Sequence, residues 1–217
     1  PGGETAIIPE MLRGPAKGTA FDLVGSCVGL VPKNRILSGM EITPNDALIG
    51  FASSGIHSNG FTLARRVFKE AGWSLNEKIS EFGRTLGEEL LQPTQMYVDL
   101  AMALLEECTP HALFHLTGGG FGNLTRLGEN IGYHIDSLPT PNPVFELISK
   151  LGNITPKEMY TTFNMGVGFC AVVPEKQITQ TKEIGERLGI TAYQLGKTTD
   201  SKERLIRLET SSLSISI

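Results

Sequence analysis

Asp46-Ala47-Leu48-Ile49-Gly50-Phe51-Ala52-Ser53 runs directly into Ser54-Gly55-Ile56-His57-Ser58-Asn59-Gly60, and that into Phe61-Thr62-Leu63-Ala64-Arg65-Arg66-Val67-Phe68-Lys69-Glu70-Ala71. The first stretch is apolar and short, which predicts a buried strand over 46–53. In the last, Phe61, Ala64, Val67, Phe68 and Ala71 recur at helical spacing while Arg65, Arg66, Lys69 and Glu70 face elsewhere, which predicts an amphipathic helix. Between them lies a loop with two glycines, with Ser58 or Asn59 as the expected helix cap.

The same alternation continues outward. An apolar run over 21–32, with Val24, Val28 and Val31, predicts a buried strand ended by Pro32. Residues 74–92 read as a polar loop, and Pro93-Thr94 opens a long helix through Leu105. A strand is expected over 112–117, a glycine loop over 118–122, a short helix near 123–128 and a strand near 131–136. Residues 143–151 and 156–163 read as helices, 166–173 as a core strand, 176–188 as a helix and 190–195 as a strand. The tail from Ser211 is expected to fray. Strands alternating with helices give an α/β (α+β) domain, a mixed sheet with flanking helices. The turn signals of Ser38–Pro44 mark a boundary, with 1–37 as the end of one domain and 38–217 as another. Pro1-Gly2-Gly3-Glu4-Thr5 has no initiator Met and reads as the interior of a longer protein.

Composition narrows the function classes. The chain has 217 residues, a net charge of −4 and basic residues in pairs only, so no nucleic-acid face is expected. No apolar run is long enough to span a membrane. Cys27, Cys108 and Cys170 are odd in number and lack C-x-x-C spacing, which fits reduced thiols in a cytoplasmic protein.

Three segments are suited to chemistry. In the loop Ser53–Gly60, Gly55 and Gly60 permit a tight turn with exposed amides, and Ser53, Ser54, Ser58 and Asn59 add polar side chains. The helix that follows presents its positive end, so an anion would be held by N–H donors and dipole together. His57 could donate to a phosphate oxygen or shuttle a proton. An ordinary capped turn accounts for the same residues. The second segment is Thr117-Gly118-Gly119-Gly120-Phe121-Gly122-Asn123. Four glycines after a strand imply close backbone approach to a ligand or to another segment, and they match neither the dinucleotide nor the Walker pattern. In the third, Gly2-Gly3-Glu4-Thr5, Glu4 could hold magnesium and Thr5 a phosphate; a plain turn is the alternative. His115, in an apolar strand, reads as a core histidine. His111 and His134 lack a carboxylate or cysteine at ligand spacing, which argues against zinc.

Taken in order, these segments resemble the aminoimidazole ribonucleotide synthetase family. Gly2-Gly3-Glu4-Thr5-Ala6 with Pro9-Glu10-Met11, and then Phe21-Asp22-Leu23-Val24-Gly25, look like the end of its nucleotide-binding domain. Leu48–Phe61 looks like its most recognisable stretch. Gly83-Arg84-Thr85-Leu86-Gly87-Glu88-Glu89-Leu90-Leu91, Pro93-Thr94, Thr117-Gly118-Gly119-Gly120 and Thr162-Phe163-Asn164-Met165-Gly166-Val167-Gly168 follow in the family's order. The resemblance implies an ATP-dependent, magnesium-requiring ring closure of formylglycinamidine ribonucleotide in a cytoplasmic homodimer. It makes 1–37 a remnant of the N-terminal ATP-binding and dimerisation domain. It places His57, Ser53, Ser54, Gly55, Ser58, Asn59 and Gly60 at the substrate phosphate, Gly118, Gly119 and Gly120 in the same cleft, Asn164 and Gly166 on a cleft-facing turn, and Glu4 and Thr5 at ATP, with Glu4 on magnesium.

The sequence also departs from the family's pattern. Gln95 stands where an Arg is expected, and Gly122-Asn123-Leu124-Thr125-Arg126 replaces a stretch that usually carries an acid and a proline. Two other readings stay open. One is another ATP-using enzyme of this fold, of the selenophosphate synthetase, thiamine-phosphate kinase, hydrogenase-maturation or formylglycinamidine ribonucleotide synthetase type. The other is a non-catalytic binding or assembly fragment.

Overall fold

The computed structural model describes residues 25–217. The calls on Glu4, Thr5 and residues 21–24 lie outside the described residues. The chain divides into two units at Ile36–Leu37. In the first unit, Gly25–Pro32 has no strand, only a 3-10 turn at Lys33–Arg35 follows, and Val28 and Leu30 are fully exposed. The expected strand over 21–32 is therefore not seen over 25–32. A strand needs a ladder partner for its backbone groups, and none pairs with this stretch among the described residues.

The second unit, Leu37–Ile217, begins its regular structure with β1 (Ala47–Ala52) and α1 (Phe61–Glu70). Then come β2 (Lys78–Ile79), β3 (Arg84–Thr85), α2 (Leu86–Leu90), α3 (Val98–Glu107), β4 (Ala112–His115) and a 3-10 helix over Gly120–Arg126. These are followed by β5 (Ile131–Ile135), α4 (Pro143–Gly152), α5 (Pro156–Thr162), β6 (Val167–Val173), α6 (Ile178–Arg187), β7 (Ala192–Asp200), β8 (Ile206–Thr210) and β9 (Leu213–Ser216). Seven strands form one sheet in the order β4-β6-β1-β7-β5-β8-β9. Every neighbouring pair is antiparallel except β5 and β8, so the sheet is mixed as expected.

Helices cover both faces at the centre of the sheet, which explains why β1 and β6 are apolar at almost every position. On one face α1, α4 and α5 contribute Val67, Phe68, Phe145, Ile148 and Met159 to a core with Leu48, Tyr133, Cys170 and Leu195. On the other, Leu100 and Leu104 of α3 and Ile184 of α6 meet Ile49, Phe51, Phe169 and Ala171. Among the described residues no helix is long and apolar enough to cross a membrane.

Local signals set most boundaries. Thr155 caps α5 by accepting from the Glu158 amide, and Pro156 occupies its first turn. α4 opens on Pro143 and closes on left-handed Asn153. Three expectations are corrected. The loop over 74–92 contains the β2–β3 hairpin and α2, the latter opened by a Thr85/Glu88 capping box. The helix expected from Pro93 starts only at Val98, because Pro93–Tyr97 is bonded to another segment as described below. The tail is not frayed: β9 pairs with β8, and Ile206 and Ile217 exchange backbone bonds.

Candidate functional site

β6 runs antiparallel to both β1 and β4 and lies between them. The C-terminal ends of β1 and β4 therefore share one edge of the sheet with the start of β6. That topology brings together the loop Ser53–Gly60, the loop Thr117–Gly122 and the turn Phe163–Gly166.

Phe163 and Asn164 join the loops. The Phe163 ring is fully buried and lies against Gly60, where an added Cβ would stand 2.2 Å from Cε1. Its carbonyl, with that of Tyr160, lies over Gly120, where a Cβ would meet the two oxygens at 2.7 and 2.2 Å. Gly60 and Gly120 are thus glycines because another segment's atoms occupy the Cβ position. Asn164 is 2 % exposed. Its Nδ2 donates to the Gly55 carbonyl at 2.8 Å, and its Oδ1 accepts from Ser53 Oγ and from the Gly166 amide, each at 2.9 Å. The Ser53 amide donates to the Gly166 carbonyl at 2.9 Å. The structure brings Asn164 and Gly166 to the loop, but Asn164 turns inward, and its bonding groups are engaged within the protein.

A second segment, Gln92–Tyr97, lies along the other side of the loop. Ser54 Oγ donates to the Pro93 carbonyl at 2.6 Å, Ser58 Oγ and Thr94 Oγ1 are 3.4 Å apart, and Tyr97 Oη donates to the Ala52 carbonyl at 2.6 Å. A groove of about 450 Å³ opens here, lined by Ser54, Gln92–Met96, Asp99, Leu100, Leu188 and Ile190.

His57 is 3 % exposed and lies beneath the loop. Its Nε2 accepts from the Ser54 amide at 3.1 Å and from the Gln95 amide at 3.5 Å. Burial, reinforced by the neighbouring His115, lowers its pKa to about 4. The expectation of a group titrating near neutrality is corrected, since the ring is held neutral by desolvation. His115 is also corrected: it ends β4 on the exposed side rather than in the core.

The outer part of the loop is different. Ser58 is exposed, and Asn59 and Gly60 are half-buried. Gly60 stands at the N-cap of α1 in left-handed conformation, with no side-chain cap, so neither Ser58 nor Asn59 plays that part. Among the described residues, no acceptor takes the backbone N–H of Gly55, Ile56, His57, Ser58 or Gly60. Gly55, Ile56 and His57 are buried, so it is the Ser58 and Gly60 amides, at the uncapped helix start, that an anion could reach. Gly118 and Gly119 lie toward the open side of the neighbouring loop, and Gly120 is buried.

Some residues of the site carried no assignment from sequence. Glu89 is a buried carboxylate whose Oε1 would lie 3.9 Å from a Cβ on Gly55, and its Oε2 is 3.6 Å from Arg84 Nε. Desolvation raises its pKa and Arg84 opposes that shift. Tyr97, Thr94 and Gln95 join the loop through the bonds above. Away from the site, His111 pairs with Asp46 at 2.7 Å and His134 with Glu209 at 3.1 Å, so both histidines have carboxylate partners that their sequence neighbours did not announce. Among the described residues no three His, Cys, Asp or Glu side chains cluster as a metal site would need.

A mixed sheet with helices on both faces, carrying an amide-rich loop and a triple-glycine loop at one edge, defines a domain class. The model of AIR synthase related protein, C-terminal domain, matches residues 43–207. The chain belongs to that family. A phosphoribosylformylglycinamidine cyclo-ligase of Methanococcus maripaludis is 43% identical over 203 residues, covering 93% of this chain and 56% of the relative. One of Methanopyrus kandleri is 46% identical over 176 residues, 81% of this chain and 50% of the relative. The chain thus spans about half the length of the curated relatives it matches. Among solved structures, thiamine-monophosphate kinase from Stenotrophomonas maltophilia superposes with a TM-score of 0.56 at 17% identity, over 85% of this chain and 56% of that one. The hydrogenase maturation protein HypE in complex with ATP gives a TM-score of 0.51 at 18% identity, over 81% and 50%. At such identities these likenesses show the fold.

Proposed function

We propose that this chain supplies the C-terminal, substrate-holding part of a phosphoribosylformylglycinamidine cyclo-ligase. That enzyme would close formylglycinamidine ribonucleotide to aminoimidazole ribonucleotide, with ADP and phosphate as the other products. The observation that carries the reading is the edge formed by Gly55–Gly60 and the uncapped start of α1, set on a chain that is 41–46% identical to relatives bearing that name.

The ribonucleotide phosphate would sit on the amides of Ser58 and Gly60, with the hydroxyl of Ser58 and the carboxamide of Asn59 as side-chain donors. Gly118 and Gly119 would let the backbone approach the rest of the substrate. ATP, when bound, would supply the phosphoryl group that activates the formyl oxygen and leaves with it as phosphate when an internal nitrogen closes the ring. By the family resemblance, the magnesium and ATP contacts of this chain would be Glu4 and Thr5. The rest of the ATP site, the dimer contact and a cytoplasmic setting belong to the same proposal.

The test uses ribose 5-phosphate as the probe and amide NMR shifts as the readout. Millimolar ligand is expected to move the amides of Gly55–Gly60 and of Gly118–Gly119, and to leave β8 and β9 unmoved. An unshifted loop, or shifts confined to other regions, would refute the phosphate assignment. Assayed with formylglycinamidine ribonucleotide and ATP, the 217-residue chain alone is expected to show little or no ring closure; a normal rate would show that the nucleotide site is complete within it.

A further inference from the structure

His57 stands where two segments distant in sequence meet. Two backbone N–H groups, from Ser54 at 3.1 Å and from Gln95 at 3.5 Å, aim at its Nε2. A nitrogen that accepts cannot carry the proton, so the ring's hydrogen sits on Nδ1. Nδ1 is buried and has no partner among the described residues. A buried, unpaired donor costs about 1–3 kcal/mol. A leucine or phenylalanine would fill the same space without that penalty, so packing alone does not account for an imidazole here.

The surroundings are shaped to keep the ring in this pose. Gly168 lies beneath it, and a Cβ there would stand 2.5 Å from His57 Cε1 and 2.1 Å from Tyr97 Oη. The rings of Tyr97 and His115 flank it with centroids 6.3 and 6.4 Å away. Among the described residues these two are the titratable groups whose rings face it, and a charge on His115 would oppose a second charge on His57. His57 itself has φ +54°, a left-handed backbone that points its side chain under its own loop.

We propose that His57 is a positioning residue, a neutral imidazole whose Nε2 is a shared acceptor locking the Ser54 and Gln95 amides together. The lock holds the segment Pro93–Tyr97 against the loop Ser53–Gly60. What the locked loop then binds rests on the phosphate reading above; the lock itself does not.

The experiment is long-range proton–nitrogen NMR of the histidine rings in the 217-residue chain, with hydrogen exchange on two variants. His57 is expected in the Nδ1-protonated form, unchanged from pH 8 to 5.5. His57→Gln places an amide oxygen where Nε2 stood, and His57→Phe keeps a ring without an acceptor. Exchange at the Ser54 and Gln95 amides is expected to quicken more than tenfold in the Phe variant and to stay within threefold of the parent in the Gln variant. An Nε2-protonated ring, titration above pH 6, or equal protection in the Phe variant would overturn the lock. If His57→Phe does not fold, the parent's tautomer and the Gln variant still decide. Intact protection with no response to ribose 5-phosphate would count against the phosphate reading alone.

Discussion

Replacing Gly60 by alanine tests whether the loop is held by the contact between its last residue and Phe163. Gly60 has φ +73°, where an L-residue is strained by roughly 1–2 kcal/mol. The new methyl would also stand 2.2 Å from Phe163 Cε1 and 2.7 Å from Cδ1. Phe163 is fully buried and packs on Phe145 with ring centroids 5.9 Å apart, so it has little room to retreat. Overpacking of that kind costs about 1–3 kcal/mol. The two effects together come to about 2–5 kcal/mol, a large part of the roughly 5–15 kcal/mol that holds a typical domain. Gly72 is the control: its φ is +75° and nothing lies within 4 Å of an added Cβ. Gly72→Ala should therefore show the backbone strain alone. In urea, with a slope of about 2 kcal/mol per molar, Gly60→Ala should lower the unfolding midpoint by roughly 1–2.5 M and Gly72→Ala by less than about 1 M. Equal midpoints for the two variants would show that Phe163 yields freely, and the account of Gly60 as held against Phe163 would fail.

Acid stability gives a second expectation. The pKa of His57 falls from 6.5 unfolded to about 4 folded, chiefly through burial, so the fold favours the neutral ring. Its contribution is fully present above about pH 6.5 and is lost as pH falls toward 4, on the order of 3 kcal/mol. The drop in unfolding free energy between pH 7 and pH 4.5 should be smaller in His57→Gln than in the parent chain; an identical drop refutes the assignment. A third expectation concerns the thiols. Cys27 is exposed, Cys108 and Cys170 are buried, and desolvation raises the pKa of both buried thiols. A disulfide reagent at pH 8 should modify one thiol quickly and the other two only in denaturant, and rapid reaction of two or three in the native chain would contradict the packing around β6.

Periodicity carried the parts of the fold that a single segment can state. β1, α1, β5, α4, α5, β6 and α6 stand where their apolar spacing placed them. The failures share a cause, which is that the deciding partner lies elsewhere in the chain. Val28 and Leu30 have strand-like character, yet no described strand pairs with them and they are exposed. Ser211–Ile217 is short, and it holds its place by pairing with β8 and packing Leu213, Ile215 and Ile217 against the core. The helix expected from Pro93 begins at Val98 because the residues between bond to Ala52, Ser54, His57 and Ser58. One miss was local: Thr85 and Glu88 have the spacing of a capping box, and α2 begins there.

The site was legible as a set of loops and not as a set of roles. Glycines and small polar residues after a strand announce a turn, and among the described residues no acceptor takes the amides of Gly55–Ser58 and Gly60, though Gly55, Ile56 and His57 are buried. Roles depend on which groups are already engaged, and that is fixed by residues far away in the sequence. Ser53 and Asn164 are separated by 111 positions and share a 2.9 Å bond, so a side chain that reads as a ligand donor is a clasp. His57 reads as an acid–base group because an isolated imidazole titrates near neutrality. The burial that lowers its pKa is produced by Tyr97, His115 and the missing Cβ of Gly168, none of which its own loop contains. Gly60 and Gly120 look like flexible ligand-facing positions until Phe163 and the Tyr160 carbonyl are seen to fill the space a side chain would need. Under the proposed function, the groups left over for a ligand are Ser58, the Asn59 side chain and the Gly60 amide, with Gly118 and Gly119 on the neighbouring loop. Substituting the clasp should disorder the loop, whereas substituting Ser58 or Asn59 should change binding alone.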